Sequence, residues 1–332
     1  MRSRGQMPWD PDSEETGKGD CRLVTWPSTM PDLTSRAQGA FLGLAAGNAL
    51  GLPFESMWPA SKIGDATRGR IREIPSSAAT DPWDDETAHA ILIAQALSET
   101  GDTDPSDLVQ RLLQWRDSNG RGMGVLLEKL LEEVEGEVAV LEASEELCER
   151  LGRNWSAGND PLIRAVPIAI AARKDRVRLA RLARDAARTT HWNPLCVGST
   201  VAFALALADT LDGKACDLPE LAAEMALMEF PEQVSQAVSG ARLPLSTFQL
   251  DGKQKGYAIK ALQVGLWALR TEGTMEELLE QVILQGGDTD TNAAIAGAAI
   301  GMRLGVEAIP ERWISGLREP ELLRKTALSL IG

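Results

Sequence analysis

Gly286-Gly287-Asp288-Thr289-Asp290-Thr291-Asn292, running straight into the small-residue segment 293–301, is the stretch that decides how this chain is read. Carboxylates and hydroxyls alternate from Asp288 to Thr291, behind two glycines. A backbone that turns sharply, presents hard oxygen ligands and then enters a close-packed helix suits a Mg²⁺- or Mn²⁺-type site. An Asp cap on a helix after a Gly turn explains a single Gly-Gly-Asp equally well. It does not explain Asp290 and Thr291 in the first turn, nor a second acidic cluster upstream.

That cluster is Asp81-Pro82-Trp83-Asp84-Asp85-Glu86-Thr87, ahead of a helical segment at 88–97. One or two acids in a first turn complement the helix dipole. Three in a row repel each other, and a bound cation is the simplest compensation. A third oxygen source, Glu55, lies just past Pro53, which ends a helix beginning near Thr34 or Ser35. In that helix Gly39, Gly43, Gly47 and Gly51 recur every four positions, so another backbone is expected to pack closely along this face. The two clusters, with waters, suffice for two divalent cations about 4 Å apart.

The 332 residues, 44% of them hydrophobic, allow one large domain with a sizeable core. No apolar run approaches the roughly 18 residues of a membrane span, so no membrane segment is expected. The N-terminus has no apolar core of a secretory signal. Cys21, Cys148, Cys196 and Cys216 show neither metal-type nor redox-type spacing, which fits a cytoplasmic protein with free thiols. The net charge of −14 disfavours nucleic acid or an anionic membrane as partner. Only two histidines, His89 and His191, are present, too few for a His-rich zinc site. Residues 1–30 read as a disordered or loosely packed tail, and 31–332 as one domain. No run of alternating strands occurs, so the class is all-α.

Three further segments carry polar signals. Gly158-Asn159-Asp160-Pro161 is a turn into an apolar helix whose early turns hold Arg164, a candidate anion ligand. Residues 173–188 place Arg173, Lys174, Arg176, Arg178, Arg181, Arg184 and Arg188 in a helical pattern, either a solvated face paired with acidic neighbours or a docking surface for an acidic partner. Thr190-His191-Trp192 breaks that helix; His191 is either a satisfied structural histidine or a donor to a ligand, and Trp192 either core or a nucleotide wall.

In this order the segments resemble the ADP-ribosylglycohydrolases, the group of ADP-ribosylarginine hydrolases and dinitrogenase-reductase-activating glycohydrolases. The resemblance covers roughly residues 34–332 and rests on Gly47-Asn48-Ala49-Leu50-Gly51 with Glu55, Trp83-Asp84-Asp85-Glu86-Thr87, Gly158-Asn159 to Arg164-Ala165-Val166-Pro167, Thr190-His191, and Gly286 to Ala294. The last matches the family pattern in full. The resemblance implies a compact orthogonal bundle of helices and a binuclear Mg²⁺ or Mn²⁺ centre. It implies metal ligands at Asp84, Asp85, Glu86, Asp288, Asp290 and Thr291. Acid–base work would fall to Glu55, Asp85 or Glu86, and ADP-ribose contacts to Gly158, Asn159, Arg164, His191 and Gly287. It further implies cleavage of the C1″ bond of ADP-ribose on a modified protein or small molecule, arginine linkage first. Asp84 stands where the family has Thr, Glu86 and Asn48 where it has Asp, and Asp160-Pro161 where it has Gly-Ser. The more acidic early cluster keeps open a second reading, an ADP-ribose-binding regulatory or immunity-type module without turnover. A phosphatase of the Asp-x-Asp-x-Thr kind would need that motif after an N-terminal strand, and here it is late and helical.

Overall fold

A computed structural model describes residues 30–55, 57–67, 71, 73–134, 139–152, 155–252 and 254–331. The expected tail therefore lies outside the described residues, apart from Met30. Among the described residues the chain forms sixteen α-helices, a few short 3₁₀ turns and no strand, an all-α fold. The seven helices that build and support the site are numbered here in chain order: α1 (Leu33–Gly51), α2 (Asp85–Thr100), α3 (Pro161–Ala172), α4 (Arg176–Arg188), α5 (Pro194–Leu211), α6 (Ala258–Arg270) and α7 (Thr289–Leu304).

Local chemistry sets most of the helix ends. Asp32, rather than Thr34 or Ser35, caps α1 by accepting from the Ser35 N–H at 2.7 Å. Proline occupies the first position of α3 and α5, where no N–H is needed. Gly101 ends α2 in the left-handed conformation.

The centre of the fold is the antiparallel contact of α1 with α7. The glycine repeat is its cause: a Cβ at Gly39, Gly43, Gly47 or Gly51 would overlap the backbone of Gly301, Gly297, Ala293 or Thr289 respectively. With only hydrogens between them, the two backbones touch along four turns. This contact fixes the end of α1 against the start of α7, where the acidic stretch lies.

Around this pair the main core takes up Phe41, Leu50, Ile163, Phe203, Leu262 and Ile295, all buried. A smaller cluster built on Trp115, Leu127, Leu131 and Leu147 flanks α2. Helix α5 corrects one expectation: it is 18 residues long with mean hydropathy 1.6, the length and apolarity of a membrane span. It is 83% buried inside the protein, so its apolar surface faces other helices on all sides. Polar Ser199, Thr200, Asp209 and Thr210 interrupt the run in sequence.

Every basic side chain of 173–188 has an internal partner. Arg173 and Lys174 meet Asp212, Arg176 meets Asp209 and Glu224, and Arg181 meets Asp102 and Asp185. Arg178 donates to the Gly101 carbonyl, while Arg184 and Arg188 lie over the rings of Phe230 and Trp192. The solvated, internally paired face is thus the observed one. The acids Glu128, Glu132 and Glu133 are exposed, and Glu135 and Glu137 lie outside the described residues.

Candidate metal centre

The first turns of α2 and α7 meet at the end of α1. Asp84 and Asp288 hold the N-cap positions of these helices, yet neither side chain caps its helix. Simple capping therefore does not account for them. Their carboxylates take part in two groups instead: Asp84, Glu86 and Asp290 converge with oxygens within 4.8 Å of one another, and so do Glu55, Asp288 and Asp290. Asp290 belongs to both, which gives two adjacent oxygen cages with one shared wall.

The hydrogen bonds around these groups show what is left over. Thr291 Oγ1 donates to Glu86 Oε1 at 2.6 Å. Asn159 Nδ2 donates to Asp288 Oδ2 at 2.8 Å. Asn48 Nδ2 donates to Glu86 Oε2 at 2.9 Å. Asp290 Oδ1 is buried and receives no hydrogen bond among the described residues. A buried carboxylate oxygen without a donor carries the full cost of its desolvation, and a divalent cation removes that cost. The donor set, all hard oxygens with no sulfur, fits Mg²⁺ or Mn²⁺.

Electrostatics agrees. Burial, then Glu86 and Asp288, pushes the Asp290 carboxyl well above the usual range. Burial, then Asp85 and Asp84, does the same to Glu86. Asp85 is raised by burial and next by Asp160. Asp84 is raised by burial, against the opposing pull of Arg121, whose Nε lies 3.6 Å from its Oδ1. Such mutual repulsion is what an added cation relieves.

Asp85 falls in neither triad. Its Oδ1 faces Gly122, where a Cβ would collide with both Asp84 and Asp85. Glu55 is half-buried at the rim, with Lys255 Nζ at 3.7 Å. Beside Asp288 opens a cleft of about 580 Å³, lined by Trp155, Ala157, Gly158, Lys255, Gly256 and Tyr257 among others. Trp155 is 84% exposed.

The expected ADP-ribose contacts divide into two sets. Gly158 lines this cleft and pairs with Tyr257 in an antiparallel bridge, and Asn159 reaches Asp288. Gly287, at φ +80 and against the Leu250 carbonyl, serves the turn that aims Asp288. Arg164 and His191 differ from expectation: each is only 1% exposed, behind the cleft wall rather than on it. The cause is the apolar α3 and the helix pair around it, which draw both side chains inward. Arg164 Nη1 donates to the Ala186 carbonyl at 2.6 Å, and burial lowers its pKa to about 10. His191 Nδ1 pairs with Thr190 Oγ1 at 2.8 Å and Nε2 lies 3.6 Å from Asp160. Burial, then Arg164, lowers the His191 pKa to about 3, so it is neutral. Trp192 lies under Arg188 instead of in the cleft.

Comparison with known proteins bears on this geometry. The family described as ADP-ribosylglycohydrolase matches residues 29–332. This chain belongs to the ADP-ribosylglycohydrolase family. It is a hydrolytic enzyme of the ADP-ribosyl glycohydrolase type. It is 26% identical over 306 residues to the ADP-ribosyl-[dinitrogen reductase] glycohydrolase of Rhodospirillum rubrum, covering 87% of this chain and 92% of that one. It is 25% identical over 326 residues to the ADP-ribosylarginine hydrolase Tri1 of Serratia proteamaculans, covering 93% and 82%. A solved structure titled ADP-ribosylglycohydrolase-related protein complex superposes with a TM-score of 0.69 at 29% identity, covering 90% of this chain and 98% of that one.

Within this ADP-ribosylglycohydrolase, sequence reasoning missed the neighbours of the acids. Arg121 and Gly122 come from the turn after 105–118, in Gly120-Arg121-Gly122-Met123-Gly124, and press on Asp84 and Asp85. The close glycine spacing was the available signal. Lys255, Gly256 and Tyr257 sit in a turn before α6 and carried no signal of their own.

Proposed function

We propose that this ADP-ribosylglycohydrolase is metal-dependent and releases ADP-ribose from ADP-ribosylarginine on protein, by cleaving the bond between C1″ and the guanidine nitrogen. The observation that carries the metal dependence is Asp290, shared by two carboxylate triads and bearing a buried oxygen that receives no hydrogen bond among the described residues. The arginine linkage follows the name of the Serratia proteamaculans relative. Asp84, Glu86, Asp288, Asp290 and Thr291 are the proposed ligands of two divalent cations, Mg²⁺ or Mn²⁺. Cations bound there supply positive charge that orients ribose hydroxyls and lowers the pKa of a water.

The protein's own side chains do the rest. The cleft between Trp155 and Tyr257 takes the nucleotide end of the substrate, with its aromatic faces and the Lys255 ammonium beside the diphosphate. Asn159 keeps Asp288 aimed at the site. As the C1″–N bond breaks and water oxygen adds at C1″, one carboxylate accepts the water proton and the leaving nitrogen gains one. Glu55, half-buried at the rim and adjoining the second triad, is suited to exchange that proton with solvent. Asp85 is the alternative base, deeper in the site. Two carboxylates with separate duties follow the general logic of glycoside hydrolysis. Cys148, Cys196 and Cys216 are free and buried, which suits a cytoplasmic location.

A second reading, an ADP-ribose-binding module without turnover, is favoured by one contact. Arg121 already places a cation 3.6 Å from Asp84. The deciding experiment is a panel of substrates carrying ADP-ribose on arginine, serine, free phosphate and nucleic acid, assayed with Mg²⁺, Mn²⁺ and EDTA. Release from arginine that stops with EDTA supports the first reading. Calorimetric binding of ADP-ribose with no release from any substrate supports the second.

A further inference from the structure

We infer that Asn48 is a positioning residue for the metal centre: its amide clamps the Glu86 and Asp84 carboxylates into convergence in advance of any cation. The inference rests on the metal-dependent reading above. Asn48 is 4% exposed and lies in the last turns of α1. Its Nδ2 donates to Glu86 Oε2 at 2.9 Å and to Asp84 Oδ2 at 3.5 Å. Its Oδ1 accepts from Thr87 Oγ1 at 3.0 Å. The orientation of the amide follows from its neighbours. Ionised carboxylates only accept, so the NH₂ group faces them, and the hydroxyl donates to the remaining oxygen.

Glu86 is thereby held at both oxygens, by Asn48 from α1 and by Thr291 from α7. The extra torsion of a glutamate is thus fixed before a ligand binds. The depth of Asn48 is fixed as well. Gly47 and Gly51 flank it and let the α1 backbone touch that of α7, and Thr289 Oγ1 bonds the Gly51 carbonyl at 2.9 Å. Asparagine fits because it is a neutral side chain with two donor protons, set between two carboxylates of one triad. Aspartate would add a further carboxylate to that triad. Alanine would leave Glu86 Oε2 and Thr87 Oγ1 buried without partners.

The test is calorimetric titration of the full chain with Mn²⁺, together with thermal melting without and with Mn²⁺, for wild type, Asn48→Ala and Asn48→Asp. The expected result for Asn48→Ala is Mn²⁺ binding weakened about 10–100-fold with unchanged helical circular dichroism. Metal-free Asn48→Asp is expected to melt about 3 °C or more below wild type, and to gain more than wild type when Mn²⁺ is added. An aspartate variant that folds only with Mn²⁺ is the limiting case of that result. Mn²⁺ affinity of Asn48→Ala within about threefold of wild type overturns the inference. So does a metal-free Asn48→Asp that melts with wild type, which decides alone where Asn48→Ala does not fold. Wild-type protein that binds no Mn²⁺ removes the metal-dependent reading along with this one. Wild-type binding with indifferent variants removes this inference only.

Discussion

Thr291 Oγ1 donates to Glu86 Oε1 at 2.6 Å, joining the first turns of two helices across 205 residues of sequence. Through this bond the early and late acidic clusters become one site. The end of α1 lies between them and supplies Asn48 to the same Glu86.

Asp290 is the shared wall of both triads, so Asp290→Asn is the sharpest single change. Release of ADP-ribose, followed by chromatography, is expected to fall at least about a hundredfold. The rise in melting temperature on adding Mn²⁺ is expected to vanish. Without metal the variant should melt no lower than wild type, because a repelled, buried carboxylate has been neutralised. Full activity in this variant would sink the proposed mechanism.

Gly47→Ala tests the backbone contact. Its methyl would overlap the Ala293 carbonyl, and backbone on both sides cannot yield as a side chain can. A loss of about 3 kcal/mol or more is expected in urea unfolding. The same substitution at partly buried Gly64, in the helix Ser61–Thr67 with nothing within 4 Å, should cost no stability.

The cleft wall is open to kinetic test. Trp155→Ala should raise KM for an ADP-ribosylated substrate about tenfold, with kcat little altered, since a stacked ring binds ground state and transition state alike. A fall in kcat at unchanged KM would contradict the assignment of this cleft to the nucleotide.

His191 and His89 make stability depend on pH. Burial holds the His191 pKa at about 3 and pushes His89 well below its ordinary value, whereas in the unfolded chain both titrate near 6.5. Between those values the unfolded chain binds protons that the folded chain does not. Stability is therefore full above about pH 6.5 and falls as pH drops toward 3, by up to about 1.4 kcal/mol per pH unit for each histidine. The raised carboxylates of the site push the opposite way. Melting of wild type and His191→Gln at pH 7, 6 and 5 isolates the histidine, because both share those acids. The variant should lose stability less steeply on acidification.

Much of this molecule was legible in short-range pattern. The glycine repeat of α1 announced a close backbone partner, and the Gly-Gly turn announced the aim of Asp288. The density of carboxylates at Asp84–Glu86 and Asp288–Asp290 exceeded what helix capping needs, and indeed neither N-cap aspartate caps its helix. These features depend on neighbours a few residues away, so residue type and spacing determine them.

What only the tertiary structure decided is direction. Asp84 and Glu86 converge with Asp290, whereas Asp85, between them in sequence, joins neither triad and lies with Asp84 against Gly122. Arg164 and His191, polar residues with the composition of ligand contacts, ended behind the cleft because packing of α3 drew them inward. The sequence by itself determined which chemistry is present and near which helix ends. Packing of α1 against α7 determined which oxygens meet, since that contact brings together residues more than two hundred positions apart and no local pattern encodes its rotation.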